Sequence, residues 1–345
     1  MVADNCFVQA GTVLAEGAML GSGSMSTTIY PAGSVSIGNI NGTAVVLRSG
    51  DDTAELQDSE DIEATGELDR FLRPFGRVFY IGAGACGSCS ATPYCVFGWP
   101  FIFMINLLTR SLWLPFGNAY RWLSLLLVRR HFGEVWGVTG HGYGLVPILL
   151  AASIAVTLAV QIAAVLVDVA LKWLLIGKSG PGECSWETSS YCQRWKFLVS
   201  VRSVIHHGSE LSMYGGSWWL VLYYRMLGAD IGKNVCLYPW GASPMMTEPD
   251  LVSIGSGSCI ESAHLVAHTN ALGLFRLDTL RIGNYCTLRD NSRVMSGGQM
   301  RDGATLLEHS LVMPGDVMLE GSWWQGWPNR WQGTDDPGKE PDFGA

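Results

Sequence analysis

The chain has 345 residues, 48% hydrophobic and only 15% charged, with a net charge of −8 and a mean hydropathy of +0.22. Soluble domains carry roughly 25% charged residues, so the composition excludes a disordered chain and argues against an ordinary soluble enzyme. The acidic balance excludes a general nucleic-acid surface, and 42 glycines without collagen spacing call for some other glycine-using repeat.

Residues 1–48 open that repeat. Phe7, Val13, Met19 and Met25 step by six with Gly11, Gly17 and Gly23 between them. This predicts the last coils of a truncated first β-helix. Its open end implies either a longer protein or a covering partner, because terminal repeats need caps. Residues 49–78 follow as an acidic linker. Asp51 to Asp69 holds nine acids and no base, more than the whole net charge, and such a block is ordinarily a solvated connection.

Residues 79–228 form a transmembrane and interfacial helical region. No Asp, Glu, Lys or Arg occurs between Arg77 and Arg110, nor between Glu134 and Asp168. A spanning helix needs about 20 apolar residues, and Leu145 to Val167 supplies them. Asp168 and Lys172 then share a face, followed by Trp173 and Lys178, which predicts an aromatic-belt and snorkelling exit. The first gap is less clean. A span from Tyr94 to Thr109 or a helix from Trp99 to Leu114 with Arg110 snorkelling both fit, and Arg129-Arg130-His131 marks the cytoplasmic side. Phe197 to Ile205 and Trp218 to Leu227 are too short to span and read as interfacial or re-entrant pieces. The N-terminus has neither the basic nor the apolar part of a cleavable signal.

Residues 229–332 carry the strongest signal. Ile282, Leu288, Val294, Met300, Leu306, Val312 and Met318 are seven aliphatic positions in steps of six. That period fits neither a helix nor an isolated amphipathic strand. It fits a hexapeptide β-helix, in which three hexads make one triangular coil and each aliphatic residue points inward. Ile231 and Leu237 open this prism, and Ile254, Ile260 and Val266 continue it. Two excursions break it, about Tyr238 to Ser253 and Ala267 to Leu280, and long excursions from a solenoid commonly carry function. Residues 333–345 are expected to be a disordered tail. The fold class is therefore a mixed membrane protein, a left-handed parallel β-helix plus transmembrane α-helices.

The order of β-helix, acidic linker, membrane helices and then "LGADIGKNV" (Leu227 to Val235), "TEPDLVSIG" (Thr247 to Gly255), "LVAH" (Leu265 to His268), "LRIG" (Leu280 to Gly283) and "LVMPGDV" (Leu311 to Val317) resembles a known arrangement. It is similar to the C-terminal membrane region of polylysine-synthetase-type nonribosomal peptide synthetases, whose β-helix domains are acyltransferase-like. The resemblance covers nearly the whole chain, and best from Gly216 to Arg330. It implies amide-bond formation between monomers activated upstream as adenylates and thioesters. It implies further an acyl-CoA or phosphopantetheine-linked donor with no bound cofactor, a carrier-protein partner, a small amine acceptor, membrane lipid around the helices, and β-helices on the cytoplasmic side. A homo-oligomer or a larger synthetase would complete such an assembly. The chain departs from the family in having no adenylation or carrier domain, fewer membrane helices and dense tryptophan at Trp323, Trp324, Trp327 and Trp331.

Acyl transfer to an amine needs a base for the acceptor's proton and donors for the oxyanion, and imidazole is the usual base. The chain has seven histidines. His264 and His268 flank the second excursion, and Glu248 and Asp250 lie in the first, so stacked coils could bring a His–carboxylate pair to one prism edge. His268, Glu248 and Asp250 match the family pattern, with Pro249 where an aromatic residue is expected. The opposing reading makes Glu248 and Asp250 turn caps, His268 a loop residue and His264 a packing residue at a corner. Arg276, Arg281 and Arg289 could meet an anionic donor or face solvent. His264, His268 and His309 could supply a zinc site on this fold, at poor spacing. Cys86, Cys89 and Cys95 lack a fourth ligand, and Cys184 and Cys192 could form a disulfide outside the cytoplasm. A noncatalytic β-helix scaffold remains an open alternative to the transferase. Transport through the helices, the third reading, finds little intramembrane polarity beyond Asn106, Arg110 and Gln161.

Overall fold

The computed structural model describes residues 6–48, short helical stretches between 103 and 130, and 145–334, apart from a few short gaps. The acidic linker, the 86/89/95 cysteine cluster, His131, His141 and the 335–345 tail lie outside the described residues, as do most of the alternatives for the first apolar gap, although 103–108 are helical.

The N-terminal segment forms β1 (Phe7–Val8), β2 (Val13–Leu14), β3 (Met19–Leu20), β4 (Met25–Ser26), β5 (Ile29–Tyr30), β6 (Val35–Ile40) and β7 (Thr43–Arg48). β1 pairs in parallel with β4, β2 with β5 and β3 with β6, the three faces of a short prism, and β7 closes it antiparallel to β6. The inward column is one residue later than the sequence phase. Leu20, Ser26, Tyr30 and Ser36 are buried, whereas Val13 and Ile29 are exposed. In a two-residue strand successive side chains take opposite faces, and an apolar pair such as Val13–Leu14 does not reveal which member turns inward.

The second prism is longer. One face stacks β9 (Asp230–Ile231), β12 (Val252–Ile254), β17 (Leu280–Ile282), β20 (Gln299–Met300) and β23 (Val317–Met318). The next stacks β10 (Cys236–Leu237), β13 (Cys259–Ile260), β18 (Thr287–Leu288), β21 (Thr305–Leu306) and β24 (Ser322–Gln325), and the third β11 (Met245–Met246), β14 (His264–Leu265), β19 (Arg293–Val294) and β22 (Leu311–Val312). All these pairings are parallel, and β25 (Arg330–Thr334) adds an antiparallel end strand to the second face, two residues beyond the predicted boundary. Leu237, Ile260, Leu288 and Leu306 are completely buried, as are Leu265, Val294 and Val312. Leu265 fills the column where the six-residue step pointed to Val266, since a five-residue step separates it from Ile260 and sets it beside Val294. Both predicted excursions leave the prism, but the first re-enters it at β11.

Small residues at the corners allow coils to stack closely. A Cβ on Gly255 would run into the Gly283–Asn284 peptide of the next coil. Gly255→Ala should therefore cost about 1–3 kcal/mol of stability through overpacking, and an unchanged thermal midpoint would refute that origin. Gly38 (φ 96°) abuts the Trp327 carbonyl, so the last coil of the first prism touches the terminal turns of the second.

Between the prisms stand α1 (Leu145–Leu175), β8 (Gly182–Ser185), α2 (Ser190–Ile205), a 3-10 turn Glu210–Tyr214 and α3 (Trp218–Met226). Within α1, Ser153–Leu175 is the one stretch among the described residues long and apolar enough to cross a membrane, with mean hydropathy 2.4. Its outward row Leu150, Ile154, Leu158, Ile162 and Leu166 is exposed. The two other apolar pieces each pack one face against neighbouring elements. Ala164 on α1 clusters with Val201 and Ile205 on α2, and Leu220, Val221 and Tyr224 of α3, with Leu227 just after it, join the core of Ile231 and Leu237. α3 thus plugs the open end of the second prism, the capping that repeat proteins require.

Candidate active site

The second excursion is a β-hairpin, β15 (His268–Ala271) with β16 (Leu274–Leu277), extended by antiparallel pairing of β16 to β8. His268 is its first residue, where the chain leaves the prism. The first excursion ends in a 3-10 turn, Pro249–Leu251, with Glu248 at its N-cap. Proline suits a helix start because the missing N–H has no partner there. Pro249 therefore turns the chain between the two acids and sends them in different directions.

The turn brings Glu248 to His268, with Nδ1 2.9 Å from Oε1. Glu248 is buried, and its carboxylate is held from two other sides. The Trp195 indole N–H donates to Oε1 at 2.8 Å, and the Thr247 hydroxyl donates to Oε2 at 2.5 Å. The imidazole lies stacked on Phe275 with centroids 5.2 Å apart and meets Trp195 edge-on at 4.9 Å. Trp186 closes the aromatic wall and donates to Asn270 Oδ1 at 2.8 Å. With Nδ1 on the carboxylate, Nε2 is the nitrogen left to take a proton, and the side chain is 15% exposed. The described residues thus arrange a carboxylate, an oriented imidazole and a second ring nitrogen with no hydrogen-bond partner among them.

Asp250 is not part of this pair. Its Oδ2 accepts from Lys172 Nζ at 3.0 Å and from the Ser179 backbone N–H at 2.5 Å, both groups being nearly inaccessible. His264 sits on β14 between Met245 and Arg293. Burial, and then the Arg293 charge, lowers its pKa. His309 is in an exposed turn with Nδ1 3.1 Å from Asn291 Nδ2, and no group of three metal-ligating side chains occurs among the described residues. Arg276 pairs with Glu183, and Arg289 with Glu261 and Glu308. Cys184 and Cys192 are free thiols, the latter pushed up to about 12 by burial.

Asp168 and Lys172 depart most from the expectation of a snorkelling exit. Both are buried. Asp168 accepts from Arg202 Nε at 3.0 and 3.1 Å, from the Tyr223 hydroxyl, and lies 3.1 Å from His206 Nε2. Burial raises the Tyr223 pKa well above its ordinary value, so the phenol is the donor. Arg202 also reaches the Thr247 carbonyl at 3.4 Å, one residue from Glu248. The end of α1 is thereby clamped to α2, α3 and the site loop.

Trp195, Thr247 and Phe275 escaped the sequence reading, because nothing in spacing links α2 to a loop some fifty residues later. Asp168 carried a usable signal, an acid inside an apolar helix, which marks a partnered group. Trp195→Phe keeps the ring packing and removes one hydrogen bond to a buried carboxylate. It should cost about 1.5–3 kcal/mol, read as a lower melting temperature, and a full-strength melt would show that the N–H is dispensable.

No protein-family model and no curated protein sequence matches the chain. Among solved structures it is similar to a maltose O-acetyltransferase from Clostridium difficile 630, at 12% identity and TM-score 0.25, covering 34% of this chain and 75% of that one. It is similar also to a hexapeptide-repeat-containing acetyltransferase from Vibrio cholerae, at 12% identity and TM-score 0.29, covering 37% and 88%. A hexapeptide transferase family protein from Anaplasma phagocytophilum matches at 17% identity and TM-score 0.15, over 32% and 66%.

Proposed function

We propose that the protein transfers an acyl or aminoacyl group from a thioester to a small amine, with His268 as general base and Glu248 as the carboxylate that orients it. The supporting observation is the pairing of buried Glu248 with half-buried His268 through Nδ1, which leaves Nε2 without a hydrogen-bond partner among the described residues. A carboxylate on Nδ1–H fixes the tautomer in which Nε2 is a proton acceptor and stabilises the imidazolium formed during the step. The amine nitrogen attacks the thioester carbonyl carbon and gives its proton to Nε2. The tetrahedral adduct then collapses, the C–S bond breaks, and the thiolate leaves with that proton. The donor would be CoA or a carrier-bound phosphopantetheine, neither of them resident. In this reading α1 makes the chain an integral membrane protein, and the left-handed prism presents the site on the cytoplasmic side as a module of a peptide synthetase.

The test is thiol release and amide formation by the full chain in lipid nanodiscs, with acyl- and aminoacyl-thioesters offered alongside small amines. The parent should release thiol in step with amide, and His268→Gln should not. Equal transfer by the two would remove His268 as base, and no transfer by the parent would leave the scaffold reading.

A further inference from the structure

The surface around α3 carries large apolar side chains that the fold leaves uncovered. Trp218 and Trp219 are 59% and 63% exposed, Met213 55% and Trp240 81%. They belong together. Gly216, between Met213 and Trp218, donates its N–H to the Leu237 carbonyl at 2.7 Å and packs against Pro239, the neighbour of Trp240. Four such side chains on touching segments form one patch, of a kind soluble surfaces rarely present without a partner.

The level of this patch along α1 follows from the contacts. Tyr223 bonds to Asp168, and three residues later the Met226 carbonyl accepts from Trp173 Nε1 at 2.8 Å. α3 and the end of α1 therefore run in the same sense. Trp219 is four residues before Tyr223, about 6 Å along the axis, which sets it level with Ala164. Among the described residues Ala164 is the last fully buried residue toward the start of α1, where the helix passes the end of α2 at Ile205, and before it only the face of Ser153, Val156, Thr157, Val160 and Gln161 is partly covered. The remaining stretch from Leu145 to Ala163 is about 28 Å long at 1.5 Å per residue, close to the roughly 30 Å hydrocarbon thickness of a bilayer.

We propose that Met213, Trp218, Trp219 and Trp240 lie in the headgroup–acyl boundary of a phospholipid bilayer, so that the second prism stands on the membrane by its α3-capped end. This rests on the reading of α1 as a membrane span. Tryptophan suits the occupant, because its flat apolar ring and N–H favour a boundary that is oily on one side and wet on the other. A short helix with one face in the core and tryptophans on the other is the form an interfacial helix takes. Trp173, level with Met226, then stands above the membrane rather than in its aromatic belt.

The experiment places a benzoylphenylalanine photo-crosslinker singly at Leu158, Trp219, Trp240 or Trp323 in the full chain, reconstituted in phosphatidylcholine nanodiscs. All four sites are exposed, so a bulky aromatic ring is tolerated, and Trp323 reports the opposite end of the prism. Lipid adducts at Leu158, Trp219 and Trp240 at five times the Trp323 yield or more are expected. Adducts at Leu158 with yields at Trp219 and Trp240 no higher than at Trp323 overturn the proposal and leave α1 in the membrane. Crosslinks from Trp219 or Trp240 to protein instead of lipid overturn it too. No adduct at Leu158 removes the membrane span, and the proposal with it.

Discussion

His268→Gln is expected to insert, fold and melt as the parent does and yet to lose the transfer rate by about 10²–10⁴-fold, the usual contribution of a positioned base. Glutamine keeps the length and a polar head, and the stacking on Phe275 is replaced by amide contact, so the change falls on proton transfer rather than on the hairpin. Glu248→Gln should lose less. An amide oxygen in the Oε1 position can still accept from Nδ1–H and from the Trp195 indole, but it brings no charge to stabilise the imidazolium, and its NH₂ faces the Thr247 hydroxyl.

The prism was legible because its period is local. Each aliphatic position answers only to the residue six away, and a column such as Ile282, Met300 and Met318 repeats every coil. The phase failed where local rules are ambiguous, at Val266 after a five-residue step and at Val13–Leu14, where either residue could face inward. The Glu248–His268 meeting followed from two excursions on stacked coils, whereas Asp250, only two residues from Glu248, turned to a lysine on α1. That pairing and the Trp195 contact depend on how the helices dock on the prism, which no sequence period encodes. β8 was invisible for the same reason, since Gly182–Ser185 is a strand only because β16 lies beside it.

Asp168→Ala should have the largest effect on folding. Asp168 is completely buried, and its carboxylate answers an arginine, a tyrosine hydroxyl and a histidine ring at once. Its removal leaves the Arg202 guanidinium charged and largely buried, with Nη2 already lacking a partner and Nη1 holding only a long bond to Thr247. Breaking one side of such a pair costs about 3–5 kcal/mol, which should appear as a much lower melting temperature in tryptophan fluorescence. Much of the burden is the orphaned charge, so Asp168→Leu combined with Arg202→Met should recover part of the loss, because apolar residues of similar volume replace buried ion pairs with little cost. The remainder reflects the buried Tyr223 hydroxyl and His206 ring, which lose their acceptor. Asp168→Asn should fall between, since it keeps the shape and an acceptor while leaving the guanidinium uncompensated. The double variant separates two roles of the cluster. If it restores melting but not transfer, Arg202 serves the site through the Thr247 carbonyl. If it restores both, the cluster only seats α1 on the prism.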